Sequence, residues 1–229
     1  MEIIIHKQIE DARQCMPGLD GIIHGIRKIR QGKHGSRASL FYSKKNQALI
    51  PVESGLERDF CYLLEADQHV AFYRTQALAI PYRNATLHPD FLIFDHKGNA
   101  YIREVKHSVF TDSERTTQKT NYLMTLFARH NLEYAVVTEE DMLRPIEKSN
   151  WAMLYDRGGR LGISKNLLEW IIELVSKFAN KSSTLLALRM AIQESELPAF
   201  LLEATLFSGG LRCRMDHPIN SQTLIEVAR

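Results

Sequence analysis

The sequence is poor in cysteine and has no long run of apolar residues. Its three cysteines, Cys15, Cys61 and Cys213, are scattered, and no Cys-x-x-Cys pair is present. This odd number argues against a disulfide framework and favours free thiols in a reducing compartment. No apolar stretch has the length of a membrane span, and the apolar run near the N-terminus is too short for a signal peptide. We therefore expect a soluble, cytoplasmic protein with no membrane partner.

Acidic residues are also absent between Gly21 and Val52. That stretch carries only positive charge, on Arg27, Lys28, Arg30, Lys33, Arg37, Lys44 and Lys45, with His24 and His34 beside them. Such a run could face phosphates, or it could be a solvated arm. The net charge of the whole chain is only +2, so its composition alone does not indicate a nucleic-acid partner.

The hydrophobic pattern predicts an α/β fold. A helix is expected over 54–66, because Leu56, Phe60, Leu63 and Leu64 form one apolar stripe. Ser54 with Glu57 is a capping-box pattern at its start. A small hairpin over 40–52 is expected before this helix. A strand over 70–80, a hairpin over 91–106, a helix over 111–129 and a strand over 134–138 are expected after it. This order predicts a mixed central sheet flanked by helices.

Three regions are expected along the chain. Residues 1–35 form an N-terminal arm with no assigned role, residues 36–160 form the main domain, and residues 165–229 form a small C-terminal domain. Asp156 to Arg160 has the composition of a linker turn. Three helical patterns follow, over 165–179, 183–194 and 197–207, and then two strands, over 211–215 and 223–227, which is the layout of a winged helix. Residues 165–229 hold seven basic and seven acidic residues, and this neutral balance favours a protein partner over a phosphate backbone.

The hairpin over 91–106 carries the chemistry. Asp90 precedes its first strand, and Glu104 and Lys106 lie on the return strand. Side chains two residues apart share one face of a strand, so Glu104 and Lys106 point the same way. Closing the hairpin brings Asp90 within reach of Glu104. Two carboxylates beside a lysine suit Mg²⁺-assisted hydrolysis of a phosphodiester.

Pro89-Asp90 followed by Glu104-Val105-Lys106 resembles the PD-(D/E)xK nuclease superfamily, which implies a restriction-endonuclease-like fold. The neighbouring segments narrow the resemblance to the TnsA endonucleases of heteromeric transposases. The residues that carry this resemblance are 54–60 (SGLERDF), Val70, Gln76, 88–92 (HPDFL) and 102–106 (IREVK). The resemblance covers about 36–229, is strongest over 54–106, and implies a winged-helix domain after the nuclease domain.

The resemblance implies a catalytic set of Glu57, Asp90, Glu104 and Lys106. Asp90, Glu104, the carbonyl of Val105 and Glu57 would hold Mg²⁺, for which Mn²⁺ can substitute. Lys106 is expected to remain an ammonium that positions water or stabilises the attacking hydroxide.

Each position also has a simpler interpretation. Glu57 could only complete the capping box, with Glu53 as the substitute ligand, and Asp90 could cap a turn. Glu104 and Lys106 could form an exposed ion pair worth less than about 1 kcal/mol.

Four further side chains have a weaker connection to this site. Gln118 and Lys119 could contact DNA or could belong to a solvated helix face. His88 could be a turn residue, and a single histidine such as His107 is more often incidental to a site.

The resemblance implies cleavage of the non-transferred strand at the 5′ ends of a transposon. The partners would be transposon-end DNA, a TnsB-like DDE transposase and a TnsC-like AAA+ ATPase, the last bound by residues after about 165. Two alternatives remain open. One is a stand-alone nuclease of the superfamily, such as a restriction enzyme or a junction resolvase, and the other is a non-catalytic DNA-binding assembly subunit.

Overall fold

A computed structural model of the chain describes residues 2–29, 38–111 and 113–228. These residues form two compact units, divided between Met142 and Leu143. Part of the acid-free basic run, including Arg30, Lys33, His34 and Arg37, lies outside the described residues. Within the described ranges no helix is both long enough and apolar enough to cross a membrane.

The N-terminal unit is a mixed α/β structure. Its elements in chain order are α1 (Glu2–Gln14), β1 (Ser39–Ser43), β2 (Ala48–Val52), α2 (Gly55–Ala66), β3 (Val70–Thr75), β4 (Ile80–Tyr82), β5 (Ala85–Leu87), β6 (Phe91–Asp95), β7 (Ala100–Val105), α3 (Glu114–Arg129) and β8 (Glu133–Val137). The central sheet has the strand order β3-β6-β7-β8. Its first two pairings are antiparallel and the β7–β8 pairing is parallel. The predicted mixed sheet with flanking helices is confirmed at this level.

Successive side chains of β6 point to opposite faces of this sheet, so the strand packs on both sides. Leu92 and Phe94 join the main core of the unit, to which α1 and α3 also contribute. Phe91 instead contacts Phe60 of α2, with ring centroids 5.0 Å apart. The central strand is therefore covered on both sides, which explains why β6 is apolar at consecutive positions.

The N-terminal segment, for which the sequence leaves a short helix or an arm open, begins with a packed helix. Helix α1 buries Ile5, Ile9 and Ala12 in the main core, and the buried guanidinium of Arg74 donates to the carbonyl of Ala12 at 3.0 Å. The spacing of these three apolar residues is the signal that predicts a packed helix here.

The C-terminal unit combines helices with a small antiparallel sheet. Its elements are α4 (Pro145–Leu154), a π-helical turn (Tyr155–Gly159), α5 (Lys165–Ser176), β9 (Ser182–Thr184), α6 (Leu185–Glu194), α7 (Leu201–Phe207), β10 (Leu211–Arg212) and β11 (Leu224–Val227). The strand order is β10-β11-β9. The three predicted helices and the terminal strand pair are present, and β9 is an addition that the sequence analysis missed.

The boundary between the units lies closer to the N-terminus than the predicted position between 160 and 165. Trp151 and Tyr155 both pack on Phe207, with ring centroids 5.3 and 5.1 Å apart. Segment 156–160 is also no linker, because Gly158 and Gly159 are buried against α7. A Cβ atom on Gly158 would lie 2.4 Å from the backbone nitrogen of Ala204, so only glycine permits this approach.

Candidate active site

The β6–β7 hairpin positions the acidic residues at one end of the central sheet. At its other end the turn is fixed by the Asp95 carboxylate, which accepts hydrogen bonds from the Lys97 and Asn99 amides at 2.9 and 2.8 Å. The register pairs Phe91 with Arg103. Asp90 comes just before Phe91, and Glu104 comes just after Arg103. Because the strands are antiparallel, these two residues lie opposite each other at the open end of the hairpin.

The Asp90 carboxylate is held at both oxygens. Oδ2 accepts the Val105 amide at 2.9 Å, and Oδ1 accepts the side-chain amide of Gln76 at 2.9 Å. Burial, followed by the negative charges of Glu104 and Glu57, raises the pKa of Asp90 well above its ordinary value. The protein therefore fixes the orientation of the Asp90 carboxylate but does not fully compensate its negative charge.

Glu104 and Lys106 share one face of the strand, as predicted. The Lys106 ammonium donates to Glu104 Oε1 at 2.6 Å, and the two side chains are only 24% and 17% exposed. The Lys106 amide extends the ladder to β8 by donating to the carbonyl of Val137 at 3.0 Å. The pair is therefore partly buried in the sheet and is not the freely exposed surface pair of the simpler interpretation.

Glu57 lies in the first turn of α2, with its carboxylate used by the capping box. One oxygen accepts the Ser54 hydroxyl at 3.0 Å, and the other accepts the Glu53 amide at 2.9 Å. Only 6% of the residue is exposed, and burial raises the pKa of this carboxyl group. Glu57 therefore completes the cap and also acts on Asp90 through its charge.

A cleft of about 320 Å³ contains the three charged residues of the hairpin end. It is lined by Arg27, Thr86, Leu87, His88, Asp90, Glu104, Lys106, Lys119, Thr120, Leu123 and Tyr134. Burial and the charge of Glu104 raise the pKa of Tyr134, so its phenol keeps its proton. Of the weaker candidates, Lys119 and His88 lie in the cleft lining.

The remaining weaker candidates point elsewhere. His107 pairs with Glu139 at 2.7 Å, and Gln118 accepts a hydrogen bond from Arg83 at 3.0 Å. Glu53, the substitute ligand, forms an ion pair with Arg27.

The donor set fits a hard divalent cation that retains water ligands. Among the described residues no three side chains of His, Cys, Asp or Glu converge on one point. A cation here would meet the carboxylates of Asp90 and Glu104 and the carbonyl of Val105, the residue that follows Glu104 in the sequence. Mg²⁺ is commonly bound by one or two carboxylates plus several waters. A cation would compensate for the burial of Asp90 and for the nearby charges of Glu104 and Glu57, the two causes that raise the pKa of Asp90.

Two residues that hold the site were not assigned a role from the sequence. Gln76 contacts Asp90 directly, and Arg27 contacts Gln76, with Nε 3.0 Å from its side-chain oxygen. Gln76 follows β3 with a left-handed backbone, at φ 51°. No local pattern marks a glutamine for this conformation, which asparagine and glycine more often adopt.

Comparison of the sequence with protein-family models finds no matching family, and comparison with curated proteins finds no matching relative.

Proposed function

We propose that this chain is a Mg²⁺-dependent DNA endonuclease with a restriction-endonuclease-like N-terminal unit. The observation that carries the proposal is the meeting of Asp90, Glu104 and Lys106 in one cleft. The order β3-β6-β7-β8, with α3 between β7 and β8, supports the fold assignment. A cation beside the two carboxylates supports this chemistry, because it can stabilise the negative charge that develops at phosphorus during hydrolysis of a phosphodiester.

The chain's own groups account for much of the reaction. Asp90, Glu104 and the Val105 carbonyl would hold Mg²⁺, which when bound supplies positive charge at the phosphate and acidifies water. Lys106 lies within 2.6 Å of Glu104, where its ammonium can orient the attacking water and stabilise hydroxide. The attacking water loses a proton to the surrounding solvent and its oxygen forms a new bond to phosphorus. The bond to the leaving sugar oxygen breaks, and that oxygen takes up a proton from solvent.

The resemblance of the sequence to TnsA endonucleases extends this proposal to cleavage of the non-transferred strand at the 5′ ends of a transposon. A TnsB-like DDE transposase would cut and join the 3′ ends, and a TnsC-like AAA+ ATPase would regulate the complex. The C-terminal unit, with α5, α6, α7 and a three-stranded sheet, is compatible with a winged helix. Its balanced charge supports the proposal that it binds a protein partner.

Lys106→Ala should abolish strand cleavage and leave Mn²⁺ binding nearly unchanged, because Lys106 donates to a ligand but is not one. Asp90→Asn should abolish both. Cleavage is measured on DNA carrying the transposon ends, with the partner proteins present, and Mn²⁺ binding is measured by calorimetry on the purified chain.

Lys97→Ala is the matched control, because Lys97 is exposed at the opposite end of the same hairpin. Cleavage by the Lys106→Ala variant at the wild-type rate would contradict the proposed role. Cutting by the purified wild-type chain alone at a fixed sequence would instead indicate a stand-alone nuclease.

A further inference from the structure

Gln76 is bonded to Asp90 through both its main chain and its side chain. Its backbone amide donates to the Asp90 carbonyl at 3.0 Å, and its side-chain amide donates to Asp90 Oδ1 at 2.9 Å. Only 1% of Gln76 is exposed, so water cannot replace these contacts easily. Together with the Val105 amide on Oδ2, this arrangement fixes the plane of the carboxylate.

Arg27 determines which end of the Gln76 amide faces Asp90. The Nε–H group of arginine is only a donor, and it lies 3.0 Å from Gln76 Oε1. The oxygen must face Arg27, so the NH₂ group must face Asp90. If the amide were reversed, its NH₂ group would face the Nε–H donor of Arg27 and its oxygen would face the carboxylate of Asp90. Neither hydrogen bond could then form, so this orientation is excluded.

Arg27 is itself held in place from two sides. Its guanidinium is ion-paired with Glu53, whose backbone amide donates to Glu57 at 2.9 Å. The segment that carries Arg27 approaches Gln76 closely at Gly25, where a Cβ atom would lie 2.5 Å from the Gln76 carbonyl oxygen. A continuous series of contacts thus connects Glu57, Glu53, Arg27, Gln76 and Asp90.

We propose that Gln76, oriented by Arg27, is a positioning residue that presets the Asp90 carboxylate for a divalent cation. This inference rests on the proposed metal-dependent function. Each Asp90 oxygen accepts one protein hydrogen bond and keeps a second lone pair for an ion. A preset ligand loses less freedom when it binds, so the contacts that orient it increase the affinity for the cation.

The test is Mn²⁺ affinity, measured by calorimetry on the full-length protein. Gln76→Met preserves the length of the side chain but removes its hydrogen bonds to Asp90 and Arg27. It should weaken Mn²⁺ binding about tenfold, because losing a residue that orients a metal ligand typically lowers the affinity by about 10- to 100-fold. Arg27→Met leaves Gln76 in place but frees its amide to rotate, and it should weaken binding about threefold. Arg58→Met is the matched control, because Arg58 is exposed on α2 beside Glu57, and its affinity should equal that of the wild type.

A second readout separates positioning from general loss of structure. In Arg27→Met the half-saturating Mn²⁺ concentration for cleavage should rise by the same factor as the dissociation constant, whereas a general loss of structure would lower the cleavage rate without changing that concentration. Unchanged Mn²⁺ affinity in Arg27→Met and Gln76→Met would overturn the role of Gln76 while leaving the nuclease proposal standing. Absence of Mn²⁺ binding by the wild-type protein would instead overturn the proposed function.

Discussion

At the candidate site, two carboxylates lie beside each other where water is partly excluded. Lys106 offsets the charge of Glu104 through a 2.6 Å contact, but Asp90 receives only neutral donors, from Gln76 and Val105. Burial, followed by the negative charges of Glu104 and Glu57, raises the pKa of Asp90 well above its ordinary value. A folded protein retains such an arrangement at a cost in stability, which is typical of functional sites.

Glu57→Gln tests whether the charge of Glu57 serves the site or only the helix cap. Glutamine preserves an acceptor for the Glu53 amide but removes the charge that acts on Asp90. We expect cleavage to fall at least about tenfold, which corresponds to about 1.4 kcal/mol of transition-state stabilisation. Cleavage by Glu57→Gln at the rate of the exposed control Glu140→Gln would limit Glu57 to the cap.

The same variant has a defined pH dependence of stability. Burial raises the pKa of Glu57 in the folded protein above its unfolded value of about 4.3. Between the two values the folded protein binds more protons than the unfolded chain, so its stability decreases as the pH rises through that window. Because glutamine does not titrate, the stability of Glu57→Gln relative to the wild type should increase as the pH rises above about 4.3, measured by urea unfolding.

Three residues of the site could be predicted from sequence because they lie within one hairpin. Asp90, Glu104 and Lys106 are fixed relative to one another by strand alternation and by a single turn. Gln76 and Arg27 could not be predicted, because their roles depend on contacts between distant segments. Arg27 is 49 positions from Gln76, and the left-handed backbone of Gln76 leaves no mark in the residue pattern.

At the level of elements, the predicted order of helices and strands along the main domain follows from hydrophobic periodicity, whereas the domain boundary does not. The composition of segment 156–160 is typical of a linker, yet the two glycines are there because α7 packs against the backbone. The glycines of this segment therefore serve packing against α7 and do not mark a linker. Helix α1 shows the converse case. The glycines that follow it argue against one long helix, but the apolar spacing within residues 2–14 is enough for a short helix that packs in the core.

The assignment of α4 to the C-terminal unit predicts how this unit behaves in isolation. Residues 143–229 should unfold in one cooperative thermal transition. Residues 165–229 lack Trp151 and Tyr155, which cover Phe207, and losing one buried aromatic side chain already costs about 3–5 kcal/mol.

The shorter fragment also lacks Asn150, whose side chain holds the loop before β11. Its amide donates to the carbonyls of Met215 and His217 at 2.9 and 2.8 Å. We therefore expect no cooperative transition for residues 165–229 when the two fragments are compared by circular dichroism. Equal melting temperatures would contradict the boundary at residue 143.

The molecule as a whole combines a mixed α/β unit that carries a charged cleft with a smaller unit that has balanced charge. The cleft lies where β6 begins and β7 ends, and segment 25–27, α2 and α3 each contribute residues around it. The central claim is that Asp90 and Glu104 share one divalent ion in this cleft.

Diffraction at the manganese absorption edge, from crystals soaked in Mn²⁺, tests this claim most directly. The account predicts one anomalous peak about 2.1 Å from an oxygen of Asp90 and from an oxygen of Glu104, and no peak there in Asp90→Asn crystals. A wild-type map with no peak at these carboxylates, or with peaks only at other sites, would contradict it.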